Sequence, residues 1–294
     1  MNLAPNLAPS RESEFAMQGM RWSVLVSWPS ALGIALLLCY APVLRGLLHQ
    51  WNTDPDMGHG FFVPLSVGWI VWRERSKWRE LRPSPTLWGA AVLTAGAGLQ
   101  IAGAFGAGLF AGAVALLIST GGAVLILGGA AFLRAWRFPF LLSLFMLPKL
   151  AIVYNRATLP LQLAATQLAR GILHLAGVPV VADGSLLQLG QRVFSVDPAC
   201  NGIRFLLSLA FLGVLFAYRF DEKAWMRVAL LAASIPLALG ANAVRIAGTV
   251  ALGAWNPALA EGAMHTLLGT LVFALAAAGL VGLRGLLNRI YVRF

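Results

Sequence analysis

The chain has 294 residues, of which 59% are hydrophobic and only 11% are charged, whereas a soluble protein carries about 25% charged residues. A soluble core cannot bury this much apolar sequence, so the composition excludes an ordinary soluble enzyme and predicts a polytopic membrane protein. The net charge of +11 does not indicate a nucleic-acid partner, because the basic residues fall mostly in short loops between apolar runs.

The N-terminal residues 1–22 show no signal-peptide pattern and are predicted to form a disordered cytoplasmic tail. The two cysteines, Cys39 and Cys200, lie inside an apolar run and at the edge of another. A disulfide framework is therefore not expected, and no Cys or His spacing suggests a metal site or another cofactor.

Apolar segments that can cross a bilayer as helices follow one another along the chain. There are eight: 23–46, 59–72, 86–104, 108–133, 138–154, 200–218, 227–249 and 264–283. The second is short. The predicted fold class is therefore an all-α polytopic membrane protein with about eight transmembrane helices and a small extracytoplasmic cap. We expect one transmembrane domain over residues 23–285 and a basic cytoplasmic tail over 286–294.

Successive turns between the predicted spans are alternately poor and rich in lysine and arginine. The turns at 49–58, 105–107 and 250–263 contain none, while most of the 22 basic residues flank the opposite ends of the predicted spans. Basic loops stay in the cytoplasm. This pattern predicts that both termini are cytoplasmic and that the turns without basic residues are extracytoplasmic.

Residues 155–199 form the longest predicted extracytoplasmic loop. Residues 157–178 have apolar side chains near helical spacing and are predicted to form an amphipathic helix on the membrane surface. Short strands are predicted at 180–181, 186–189 and 193–196, with turns at Asp183-Gly184 and Gly190. This cap would deliver the chain to Cys200.

Cys200 lies in a sequence that is typical of a helix start. It follows Asp197, a favoured N-cap residue, and Pro198, which fits the first helical position. We therefore expect Cys200 in the first turn, where backbone N–H groups and the helix dipole favour a thiolate and can hold an oxyanion. The alternative is an inert buried cysteine.

Arg245 and His265 are the partners that a reactive cysteine would need. Arg245 lies inside a predicted span near its outer end, where an ionisable group faces a partner or a wet cavity, or else extends to the interface. His265 opens the last span and suits general acid–base catalysis, or is an interfacial residue without a chemical role. With Cys200 at the same predicted membrane face, these residues are candidates for a thiol acyl-transfer site.

Four further residues are candidate substrate-binding or supporting groups. Arg204 lies one helical turn after the cysteine and would tune the thiol or bind a substrate carboxylate. Asn201 is interpreted as geometric, and Asn242, three residues before Arg245, as a group that orients the guanidinium. His59 either lines the same cavity or has a structural role.

These motifs resemble the exosortase/archaeosortase family of polytopic membrane transpeptidases. The matching segments are Ala199-Cys200-Asn201-Gly202-Ile203-Arg204, Asn242-Ala243-Val244-Arg245, His265-Thr266-Leu267-Leu268-Gly269, and Gly58-His59-Gly60-Phe61-Phe62-Val63-Pro64 followed by Trp69 and Trp72-Arg73. The resemblance covers about residues 40–285. Asn201 stands where the family more often has Ser, and this departure leaves the chemistry intact.

The resemblance implies that Cys200 is the nucleophile, that Arg245 stabilises the oxyanion or thiolate, and that His265 transfers protons. It implies a thiol protease and transpeptidase of a bacterial inner membrane, with the active site facing the periplasm and no cofactor. The expected partners are membrane lipids and proteins with a C-terminal sorting signal: a motif such as Pro-Glu-Pro (PEP-CTERM type), a transmembrane helix and a basic tail. A cell-surface acceptor, left open, receives the acyl group, in connection with exopolysaccharide and biofilm.

Two other classes of function stay open from the sequence. A subunit that exports polysaccharide or lipid-linked sugar would explain several spans and an intramembrane arginine without thiol chemistry, although the inverted repeats typical of transporters are not apparent. A non-catalytic assembly factor would tolerate replacement of Cys200, Arg245 and His265. A serine intramembrane protease is disfavoured, because no Gly-x-Ser-x-Gly-like motif pairs with a histidine in a span.

Overall fold

The computed structural model describes residues 28–196, 200, 202–220 and 224–292. The predicted tail 1–22 lies outside these residues. The helices are α1 (Trp28–Cys39), α2 (Ala41–Thr53), α3 (Phe62–Arg73), α4 (Arg75–Arg79), α5 (Trp88–Ala102), α6 (Gly108–Leu127), α7 (Ala130–Ala135), α8 (Arg137–Ser143), α9 (Ala151–Leu175), α10 (Ile203–Phe220), α11 (Ala224–Trp255) and α12 (Gly262–Val292). The strands are β1 (Val181–Asp183), β2 (Leu186–Leu189) and β3 (Arg192–Ser195). A predominantly helical fold with a small sheet agrees with the sequence-based fold class.

The structure does not confirm the predicted count of eight spans. Within the described ranges, four helices are long and apolar enough to cross a membrane: Trp88–Gly106, Gly108–Leu127, Ala224–Trp255 and Gly262–Tyr291. The total rises to six if two bent pairs, α1 with α2 and α8 with α9, each count as one span. The count of eight is not confirmed. The predicted span 59–72 is represented by α3, whose 12 residues extend about 18 Å and are too short to cross.

Two predicted helices are interrupted by residues that disfavour helix continuation. The predicted span 138–154 is broken at residues 147–150, which include Pro148, and the chain bends by 70° before α9 begins. Pro disfavours the helical conformation of the residue before it. The predicted span 108–133 ends at Leu127, because Gly129 has φ 81° and terminates α6.

The described chain divides into two compact units. The first comprises residues 1–47 and 71–137, as far as they are described, and is built around α5 and α6. Glycine lets these two helices approach closely: a Cβ atom on Gly122 would lie 2.6 Å from the backbone nitrogen of Leu93. Tyr40 Oη and Ser119 Oγ form a buried hydrogen bond of 2.7 Å in the same unit. Small residues that allow close backbone contact are typical of helix packing in lipid.

The second unit comprises residues 48–70 and 138–294 and contains all the candidate site residues. Its core joins α9, the sheet and α11 around the cysteine. The buried members of this core are Ala165, Ala169, Leu173, Val180, Leu187, Val196, Cys200, Ala243, Ile246, Ala247 and Val250. The predicted amphipathic helix 157–178 is thus the C-terminal part of the longer helix α9, and its apolar face packs against protein.

The three short strands that the sequence predicted are present within one or two residues of the predicted bounds, and they form an antiparallel sheet in the order β1-β2-β3. Asp183 pairs with Leu186 and Leu189 pairs with Arg192, so each hairpin has a two-residue turn. Gly184 and Gly190 open these turns with φ 58° and 59°, a conformation that glycine adopts without a steric penalty. The sheet therefore ends close to the cysteine in the sequence and packs in the same core.

Candidate active site

Cys200 lies just before α10 and not within its first turn, which corrects the sequence-based expectation. The α-helix begins at Ile203, and Gly202 precedes it with φ 84°. This left-handed conformation separates the cysteine from the helix. The predicted cap residues Asp197 and Pro198, together with Asn201, lie outside the described residues. Cys200 itself is buried, at 9% exposure.

Asn242 fixes the backbone at the cysteine. Its Nδ2 donates a 2.6 Å hydrogen bond to the carbonyl oxygen of Cys200. Asn242 is fully buried, and a Cβ atom at Gly202 would lie 3.3 Å from its Nδ2. The prediction that Asn242 orients Arg245 is therefore wrong: on this turn of α11 it holds the segment that carries the thiol.

Arg245 projects from α11 into the site. It is buried, at 7% exposure, and its Nη2 donates a 2.6 Å hydrogen bond to His265 Nε2. The guanidinium carbon lies 5.9 Å from the centre of the Phe205 ring. A Cβ atom at Gly269 would lie 3.1 Å from Arg245 Nε, so α12 leaves room for the guanidinium at this glycine.

His265 is held at both ring nitrogens. Nε2 faces Arg245 Nη2, and Nδ1 lies 3.3 Å from Thr249 Oγ1. Thr249 Oγ1 in turn donates to the carbonyl oxygen of Arg245 at 2.9 Å. Since a guanidinium only donates hydrogen bonds, Nε2 must be the acceptor. The geometry therefore describes a neutral His265 that carries its proton on Nδ1.

One cavity of about 630 Å³ unites the three predicted catalytic residues. Its walls come from β3, the cysteine segment, α10, α11 and the start of α12. The lining residues are Val193, Phe194, Ser195, Val196, Cys200, Arg204, Arg245, Ile246, Thr249, Val250, Ala260, Glu261, His265 and Thr266. A second cavity of about 210 Å³ shares Arg204, Arg245 and Thr266 and continues along α12 to Phe273. A buried thiol, a guanidinium and a neutral imidazole in one cavity can carry out nucleophilic acyl transfer.

Arg204 lines both cavities and connects the site to an ion-pair network that the sequence analysis missed. Its Nε lies 4.0 Å from Oδ1 of Asp56, which is buried. Asp56 Oδ2 also accepts hydrogen bonds from Lys149 Nζ at 2.8 Å and Tyr154 Oη at 2.9 Å. Lys149 pairs with Asp54 as well. The sequence did contain a sign of this network, because Asp54 and Asp56 lie in the turn 49–58, which has no lysine or arginine to pair with them.

His59 is a supporting residue and does not line either cavity. It lies in the 3₁₀ helix Pro55–Phe61, and its Nε2 is 3.2 Å from the carbonyl oxygen of Phe145. Burial lowers the pKa of His59, against opposing contributions from backbone contacts at Phe145 and Asp56. The neutral form is therefore favoured. Within the described residues, no group of three or more His, Cys, Asp or Glu side chains is placed to bind a metal ion.

Two side chains that the sequence analysis did not select attach the sheet to the helices. Gln162 Nε2 donates a hydrogen bond to the carbonyl oxygen of Val196, at the end of the approach to the cysteine. Arg192 Nη1 donates to the carbonyl oxygens of Gly253 at 3.0 Å and Ala254 at 2.8 Å. These are terminal carbonyls of α11, which lack helical partners. The contacts of Gln162 and Arg192 therefore hold β3, which forms one wall of the cavity, against α9 and α11.

The apolar helices and the site together define a multi-pass membrane protein in which a buried cysteine, a buried arginine and a half-buried histidine share a cavity. The chain belongs to the transmembrane exosortase family, whose family model matches residues 51–282. This interval contains Cys200, Arg245 and His265, together with Asp56 and Lys149. No curated protein and no solved structure matches the chain.

Proposed function

We propose that the protein is a membrane-embedded cysteine transpeptidase that cleaves C-terminal sorting signals and transfers the acyl group to an acceptor. The observation that carries this proposal is the Arg245–His265 hydrogen bond in the wall of the cavity that also contains Cys200. Membership of the transmembrane exosortase family supports a transpeptidase in protein sorting. The roles that we assign to Cys200, Arg245 and His265 follow from the chemistry of their side chains.

In the first half-reaction, the sulfur of Cys200 attacks the carbonyl carbon of the scissile peptide bond. The thiol proton passes to Nε2 of His265, and Arg245 turns its Nη2 from His265 to the oxyanion that forms. When the tetrahedral intermediate collapses, the C–N bond breaks and His265 returns the proton to the leaving nitrogen. The products are a thioester on Cys200 and the released C-terminal segment of the substrate.

In the second half-reaction, a nucleophilic group of the acceptor attacks the thioester carbon. His265 takes the proton of this nucleophile, and Arg245 again donates to the oxyanion. The carbon–sulfur bond then breaks, and the sulfur regains a proton from His265. The substrate is left attached to the acceptor, and the enzyme is restored without a cofactor.

The substrate class and the location rest on the family and the charge pattern. We propose substrates with a PEP-CTERM-type signal of motif, transmembrane helix and basic tail, in a bacterial inner membrane. The absence of Lys and Arg from 49–58 and 250–263 supports a periplasmic site with both termini in the cytoplasm. The acceptor belongs to the cell surface, in the setting of exopolysaccharide export.

The test is co-expression with a tagged protein that ends in such a signal. Cys200→Ala should abolish processing, because Cys200 is the cysteine that lines the cavity with Arg245 and His265. Cys39→Ser is the matched control, since Cys39 is exposed and belongs to the other compact unit, and it should process normally. Processing that survives Cys200→Ala would reject thiol chemistry. Transport of a sugar polymer that persists after alkylation of Cys200 would favour the exporter.

A further inference from the structure

Thr249 contacts the histidine of the proposed catalytic group from the side opposite Arg245. It lies four residues after Arg245 on α11, and its hydroxyl group is bonded to two partners at once. Oγ1 is 2.9 Å from the carbonyl oxygen of Arg245 and 3.3 Å from Nδ1 of His265. The single hydroxyl proton of a threonine can serve only one of these partners.

The two ends of this chain of contacts require the same proton arrangement. The carbonyl oxygen of Arg245 can only accept, so the hydroxyl proton of Thr249 points to it, and Thr249 Oγ1 can then only accept from His265 Nδ1–H. At the other end Arg245 Nη2 can only donate, so Nε2 must be without a proton. A histidine with its proton on Nε2 would place two donors against each other at 2.6 Å. An imidazolium would do the same.

We propose that Thr249 is a positioning residue that holds the ring of His265 against Arg245 and thereby, together with Arg245, fixes the Nδ1–H tautomer and keeps Nε2 as the proton acceptor. This inference rests on the proposed function, in which Nε2 takes the proton of the Cys200 thiol. The second ring nitrogen of a histidine commonly sets which nitrogen reacts. Here the hydroxyl of Thr249, which is anchored to the backbone of Arg245, accepts from Nδ1, while the guanidinium of Arg245 faces Nε2.

The alternative role of Thr249 is structural, because threonines in helices often bond the carbonyl four residues earlier. Thr120 offers a matched control. It is half-buried in α6, as Thr249 is in α11, and its Oγ1 bonds the carbonyl of Leu116 at 2.8 Å. Thr120→Val removes the same backbone bond without a histidine nearby. Thr249→Val removes that bond together with the contact to His265, and Thr249→Ser keeps both.

The tautomer is measured directly by ¹⁵N NMR of the full-length protein with labelled histidine rings, at about pH 8, above the ordinary histidine pKa of about 6.5. The chain has only four histidines, and a spectrum of His265→Gln identifies the signals of His265. We expect a protonated Nδ1 and an unprotonated Nε2 in the native protein, in Thr249→Ser and in Thr120→Val. In Thr249→Val the imidazole ring of His265 loses one of its two anchors and can turn away from Arg245, so the proton should redistribute toward Nε2.

Processing of a sorting-signal substrate is measured on the same variants. Thr249→Val should lower the rate by about tenfold, the value of one hydrogen bond, while Thr249→Ser and Thr120→Val stay near the native rate. A ring spectrum of His265 that Thr249→Val leaves unchanged would overturn the assignment. If the spectrum changes as expected but the native protein processes no such substrate, the proposed function fails and the tautomer assignment stands.

Discussion

Gly269 tests whether the position of the Arg245 guanidinium matters for the reaction. A Cβ atom at this glycine would lie 3.1 Å from Arg245 Nε and 3.6 Å from both Cδ and Cζ. Ordinary contacts between such atoms are about 3.5 Å or longer, so in Gly269→Ala the guanidinium must withdraw by about 0.4 Å. A displacement of 1 Å can cost about 100-fold in rate, which scales to about sixfold for 0.4 Å.

The folding stability should respond differently from the rate. Alanine is favoured over glycine in a helix by about 1 kcal/mol, and this gain opposes an overpacking cost of about 1–3 kcal/mol. We therefore expect the Tm in detergent to fall by little, while processing of a sorting-signal substrate falls about sixfold. Gly282→Ala on the same helix is the control, because nothing lies within 4 Å of its Cβ position. If Gly269→Ala processes substrate as fast as Gly282→Ala, the reasoning about Arg245 is refuted.

Two further predictions concern groups that support the site. Asn242→Ala removes the hydrogen bond to the Cys200 carbonyl and should lower the free energy of unfolding by about 1–3 kcal/mol. It should also raise the rate at which a thiol probe labels Cys200. An unchanged labelling rate would contradict the role of Asn242 in holding the cysteine segment. Asp56→Asn leaves Lys149 with only one carboxylate partner and should lower the Tm by the equivalent of about 1–3 kcal/mol. Lys77→Gln is the control, because the Lys77 side chain is 72% exposed in its ion pair with Glu74, and it should cost less than about 1 kcal/mol. Equal losses in the two variants would argue against the buried network.

Local sequence patterns predicted the elements next to the site well. Short apolar segments separated by glycine-containing turns predicted the three strands, and the structure joins these strands by hairpins. The grouping of Cys200, Arg245 and His265 in one cavity followed from their positions at the edges of apolar segments. Neighbouring residues determine the strands and turns, whereas the grouping was inferred from the charge pattern, which places the edges of these three apolar segments at one membrane face.

The sequence predicted less well what depends on breaks and distant partners. Apolar composition does not reveal that the chain bends at 147–150, and the predicted count of eight spans is not confirmed. The bond from Asn242 to Cys200 joins residues 42 positions apart, and Lys149 meets Asp56 across 93 positions. Helical spacing relates only residues within a turn or two. It therefore suggested Arg245, three residues away, as the partner of Asn242 and could not suggest Cys200.

The most direct test of the account is detection of a thioester on Cys200. The full-length protein in membranes is mixed with a sorting-signal substrate and quenched in acid, and peptides containing residue 200 are analysed by mass spectrometry. We predict a substrate acyl group on Cys200 that hydroxylamine releases, and that accumulates when the acceptor is removed by washing. Cleaved substrate without any adduct on Cys200 would contradict the proposed mechanism.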